Sequence, residues 1–144
     1  MGNFINVSIL IPTLPLLAAS LVLVLLISFN RTINRLTKPV SALIVLSLLG
    51  TAVISLFFYF KKIEGELLLS NYFGILEKTN LAMHLNLLTE KIIIFFSIII
   101  AILIGFLFYK LPRKKGYVSL MISIGLISSS ILLSILLVDF SAFT

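Results

Sequence analysis

Four runs free of charged side chains divide this sequence: residues 7–29, 40–60, 92–109 and 117–138. A helix crossing about 30 Å of hydrocarbon needs roughly 20 predominantly apolar residues, so each run predicts a transmembrane helix. The pattern predicts an all-α integral membrane protein, a single membrane domain over residues 1–144. Pro12 and Pro15 fall in the first turns of the first run, where a proline costs least or kinks the helix, so this helix is expected to begin near Leu10. The head of the chain, MGNFINVSI, lacks the basic segment of a cleaved signal peptide, and the apolar run behind it exceeds the usual length. It is read as a retained helix.

The gap between the second and third runs, residues 61–91, is the one stretch that predicts something besides a spanning helix. Leu81, Met83, Leu85 and Leu87 alternate with small or polar residues, the two-residue period of a half-buried strand. The segment GELLLSNYFGIL can supply a partner, with Glu77 to Asn80 as the turn. A small extracytoplasmic β-hairpin on the membrane surface is the expected result.

Composition strengthens the membrane reading. Hydrophobic residues make up 60% of the chain and charged residues 11%, against roughly 25% charged in soluble domains. A mean hydropathy of +1.26 leaves more apolar surface than a soluble domain of this size can hide. The net charge of +6 does not point to nucleic acid, because the basic residues sit in the gaps. Arg31, Arg35 and Lys38 stand in the first gap and Lys110, Arg113, Lys114 and Lys115 in the third, with no acid among them. Both gaps read as cytoplasmic by the positive-inside rule, placing these cations against lipid headgroups. In residues 61–91 four lysines are matched by Glu64, Glu66, Glu77 and Glu90, so that segment and both chain termini are expected outside.

Little in the sequence carries chemistry. The chain has no cysteine, which removes disulfides, thiolate nucleophiles and cysteine-held metals, and the lone histidine, His84, cannot build a multi-histidine site. No cofactor is expected. The glutamates beside lysines in the polar segment read as solvated charges. Serines of the fourth run, including Ser119, Ser123, Ser128, Ser130 and Ser134, have no base near them, so a hydrolase has no support. Ala101 with Gly105, and Gly125 with Ser129, are small residues four apart and read as helix-packing surfaces, with serine hydroxyls bonding between helices. Proton or ion translocation needs ionisable groups at membrane depth, and the four runs contain none; Asp139 reads as an interfacial acid at the end of the fourth. Phe57, Phe58, Tyr59 and Phe60, with Phe106, Phe108 and Tyr109, read as interfacial anchors. The chain is not expected to be an enzyme.

The order of features resembles a known family. The first span opens on Ile11-Pro12-x-x-Pro15-Leu16 and a basic turn follows. Beyond the second span, Leu87-Leu88-Thr89 leads into the third, a basic turn ends in Lys115-Gly116-Tyr117, and the fourth closes on Val138-Asp139. This resembles the amino-terminal region of the antiporter-like, chain-5 type membrane subunits of complex I, the NAD(P)H-quinone oxidoreductases, and of Mrp-type cation/proton antiporters. That family carries an Asp-x-Leu-Ser/Thr signature entering its third helix; here Asn86 stands near the place of the acid. The resemblance implies an outer amino terminus and a bacterial plasma membrane or thylakoid-type membrane. The family's proton-handling glutamate and lysines lie on later helices that this sequence does not reach. It therefore implies an accessory or shortened subunit of a proton- or cation-translocating complex, a helical scaffold whose partners are membrane lipids and other membrane subunits. The competing reading is an unrelated small four-helix membrane protein, a homo-oligomeric transporter or an assembly factor.

Because the chain is free of cysteine, single introduced cysteines report its topology without background. R35C should react with a membrane-impermeant maleimide only from the cytoplasmic side and E77C only from the opposite side. Labelling of both from one face would overturn this threading.

Overall fold

A computed structural model describes residues 6–33, 35–68, 82–110 and 116–138. In chain order the elements are α1 (Leu10–Ser28), α2 (Asn30–Ile33), α3 (Thr37–Lys61), β1 (Gly65–Leu68), β2 (Ala82–Leu85), α4 (Leu87–Lys110) and α5 (Tyr117–Leu137). Four of these helices, with 19, 25, 24 and 21 residues, are long and apolar enough to cross a membrane. At 1.5 Å per residue they measure about 28 to 38 Å. The chain is a membrane protein.

Local chemistry explains where each helix begins and ends. Pro12 has no N–H to give the Ser8 carbonyl, and the Ile11 amide donates to that carbonyl instead at 3.1 Å. Pro39 sits in the first turn of α3, where its missing donor costs nothing. At the other end of α3, Lys62 adopts a left-handed conformation (φ 52°), and the Ile63 amide donates back to the Phe58 carbonyl at 3.1 Å. This closes the helix as a Schellman turn whose following residue, Ile63, is buried. The helix α4 begins five residues before the uncharged run, at Leu87, and so takes in Thr89, Glu90 and Lys91. A glutamate is a good helix former and favours the first turn, where it faces the positive end of the helix dipole.

Strands β1 and β2 pair antiparallel, Gly65 opposite Leu85 and Leu68 opposite Ala82. Met83 and Leu85 are buried, so the ribbon closes one end of the bundle. Residues 69–81, which include the expected turn at Glu77 to Asn80, lie outside the described residues. We refer to this as the ribbon end and to the end bearing Arg31, Arg35, Lys38 and Lys110 as the basic end.

The helices pack α4 on α3, α3 on α1 and α1 on α5. Two layers of large side chains fill the ends. Ile44, Leu48, Ile104, Val118 and Met121 lead the layer at the basic end; Ile11, Phe58, Ile93, Leu132 and Leu136 lead the other, together with Met83 and Leu85 of the ribbon. Between them the buried positions are small: Ala18 and Ala19 of α1, Thr51 and Ala52 of α3, Ser97 and Ala101 of α4, Gly125, Ser128 and Ser129 of α5. The helices thus meet at a waist near their midpoints.

The waist separates two glycines that share one sequence pattern. A Cβ placed on Gly125 would stand 2.9 Å from the Ala19 Cβ, so α1 and α5 touch there. A Cβ placed on Gly105 would meet nothing within 4 Å, and Gly105 is exposed. The expected packing role of Gly105 is therefore corrected: Ala101 is buried on the inward face of α4, whereas Gly105 lies off that face. Gly125→Ala should destabilise the bundle by about 1 to 3 kcal/mol, whereas Gly105→Ala should be neutral or stabilise it by a few tenths, as alanine is the better helix former. Thermal unfolding in detergent checks both; equal effects would contradict the packing described.

Candidate functional site

The buried face of α4 is Glu90, Ile93, Ser97, Ala101 and Ile104, a stripe with helical spacing. Glu90 heads it, with 0% of its surface exposed. Thr51 Oγ1 of α3 lies 3.0 Å from Ser97 Oγ, which fixes the register of the two helices at the waist. One turn further along α3, on the same face, comes Ser55, also fully buried. Lys91, the residue after Glu90, points about 100° away around the helix, and its Nζ lies 5.6 Å from the Tyr59 ring centroid. That cation engages an aromatic face outside the bundle.

Five polar atoms at this end are sequestered without a hydrogen-bond partner among the described residues: Ser8 Oγ, Ser55 Oγ, Thr89 Oγ1 and both carboxyl oxygens of Glu90. Ser8 precedes Ile11 by one turn, Ser55 precedes Phe58, and Thr89 and Glu90 precede Ile93. Those three neighbours belong to one buried cluster, so the orphaned oxygens share the ribbon-end layer. Each unsatisfied buried polar group costs about 1 to 3 kcal/mol, and an ionised one more. Elsewhere among the described residues, buried hydroxyls avoid this cost. Ser123, Ser128, Ser130 and Ser134 donate to carbonyls four residues back on α5, and Ser129 to the carbonyl three back. The expected interhelical role of the α5 serines is thereby corrected: among the described residues, Thr51 bonds with Ser97 and Ser41 with Tyr117 across helices.

A carboxyl held away from lipid and bulk water, with no fixed partner, is a group that can take up and release a proton or hold a cation. Among the described residues no group of three or more histidine, cysteine or acidic side chains is positioned to hold a metal ion. Two expectations are corrected here. Glu90 is not a solvated connector charge, and the spanning helices do contain an ionisable group, because α4 starts early enough to include it. Counting back along α4 from Ser97 through Ile93 reaches Glu90 on the same face, and that spacing was the available signal. Phe58, expected as an interfacial anchor, is buried in the ribbon-end layer, while Phe57 and Phe60 beside it are exposed.

The remaining predicted residues fall apart from this layer. Arg31, Arg35, Lys38 and Lys110 are exposed at the basic end. Ala101, Gly125 and Ser129 are buried at the waist. Arg113, Lys114, Lys115 and Asp139 lie outside the described residues.

No family model matches the chain, and neither a curated protein nor a solved structure does.

If Glu90 is retained for function and not for stability, removing its carboxyl should help the fold. Glu90→Leu, similar in volume and apolar, should stabilise the bundle by about 1 kcal/mol or more, because it removes two buried oxygens that have no hydrogen-bond partner among the described residues. Thermal unfolding of the purified variant checks this. A clear loss of stability would mean that the carboxyl is a structural element of the layer.

Proposed function

We propose that this protein is an accessory membrane subunit of a proton- or cation-translocating assembly of the complex I or Mrp kind. In that assembly its helices act as a scaffold against other membrane subunits, and Glu90 is its one contribution to the charge-handling path. The observation that carries the reading is the fully buried Glu90 carboxyl, which has no hydrogen-bond partner among the described residues. Such a group is expensive in a membrane bundle and marks ion or proton pathways. The order of sequence features that resembles the antiporter-like subunits supports the same reading. A single carboxyl is too little for a complete path, which is why partner subunits are part of the proposal. In this arrangement the basic end faces the cytoplasm, and the paired strands β1 and β2 lie at the outer surface. The protein itself catalyses no reaction.

Gentle-detergent purification of the tagged chain from its native membrane, followed by mass spectrometry, tests the assembly. Recovery with complex I-type or Mrp-type subunits is the expected result, and the Glu90→Gln variant should be recovered with the same partners while ion or proton movement by the assembly falls at least about tenfold. Recovery alone or as a homo-oligomer would overturn the proposal in favour of an independent four-helix transporter or assembly factor.

A further inference from the structure

At the basic end, α3 and α4 part to leave an open groove of ≈ 320 Å³, within the size range of small-ligand sites. Its walls are Ala42 and Val45 of α3 and Ile104 and Phe108 of α4, and Lys38 stands at its mouth. Gly105 lines it as well, and the open space over that glycine is the reason the groove has depth. Ser41 also borders it, but its Oγ is 2.8 Å from the Tyr117 hydroxyl, so its polar atom is already engaged. Phe108 is held edge-on to Tyr117, with ring centroids 6.4 Å apart, which fixes that wall. The site is an apolar trough with a cation at one end. Lys38 does not stand alone: exposed Arg35, just before α3, and exposed Lys110, at the last turn of α4, lie at the same end of the antiparallel pair.

We infer that this groove is a binding site for an anionic phospholipid, one acyl chain lying along Gly105 between α3 and α4 and the phosphate on Lys38. The charge pattern selects this occupant. A partner helix would bring its own side chains against a wall that ends in Lys38, whereas a lipid supplies both an apolar chain for the trough and an anion for the cation beside it. Lysine and arginine near the surface attract anionic headgroups, with about a fivefold gain in affinity per cation. The inference is independent of Glu90, which lies at the other end of the bundle.

Native mass spectrometry of the full chain, released from detergent with added phosphatidylglycerol or phosphatidylcholine of matched acyl chains, tests it. The wild type should retain one phosphatidylglycerol about fivefold or more in preference to phosphatidylcholine. Lys38→Gln should lose most of that preference while still binding lipid. Gly105→Leu, filling the groove where nothing else stands, should lose the bound lipid of either kind; Ala42→Phe, at a second exposed wall position, serves the same end if that variant folds poorly. Inorganic phosphate at the same concentration should not compete, because the chain contributes the larger share of binding. Equal retention of the two lipids by the wild type, or unchanged binding after the groove is filled, would overturn the inference.

Discussion

Lipid removes the force that assembles soluble helix bundles, since an apolar side chain gains little by leaving hydrocarbon for a protein interior. What remains is van der Waals contact, which requires backbones to come close, and hydrogen bonds across helices. The waist of this protein supplies both. Ala19 and Gly125 let α1 and α5 touch, and the Thr51–Ser97 hydrogen bond ties α3 to α4 at the same depth. Small residues set these points of close approach, and two layers of large side chains fill the bundle on either side of them. The groove at Gly105 is a place where the space between α3 and α4 is left open.

The same medium decides how polar groups are handled. A hydroxyl in hydrocarbon needs a partner, and the α5 serines from Ser123 to Ser134 find one on their own helix, three or four residues back. Those bonds leave the surrounding interfaces apolar and place no demand on a neighbour. The ribbon-end layer departs from this economy, since Ser55, Thr89, Ser8 and Glu90 are buried in it with side-chain oxygens that have no partner among the described residues. Local propensity, patterning and polar satisfaction agree over the rest of the bundle, and a break in that agreement confined to one layer is where function is expected to reside.

Hydropathy made the four spans legible, because in a membrane the backbone must bond within its own segment and a long apolar run has no structure open to it except a helix. Helix ends were less legible. The start of α4 was read at Ile92 because Glu90 and Lys91 break the uncharged run, yet charge does not stop a helix; the chain leaving β2 at Leu85 sets the start instead. That displacement of five residues turned Glu90 from a connector charge into the head of a buried stripe, and it is why the candidate site was missed. Phe58 was misread for a related reason. A cluster of four aromatic residues at a helix end spans the whole circumference, so one of them must face inward, and composition alone does not say which.

Gly105 and Gly125 show where sequence reasoning stops in a membrane helix. Each has a small residue four positions away on its own helix, and both pairs satisfy the motif for close packing. The motif states that a neighbour can approach; it does not state that one is there. Whether a neighbour stands opposite depends on the rotation of the helix about its axis, and a nearly uniform apolar helix carries no polar face from which that rotation can be read. In α5 the buried stripe running through Gly125 faces α1. In α4 the stripe runs from Glu90 to Ile104 and leaves Gly105 one step to the side. The Ser97 hydroxyl, bonded to Thr51 of α3, is therefore what orients α4, and the burial of Glu90 and the opening of a groove beside Gly105 follow from the same rotation.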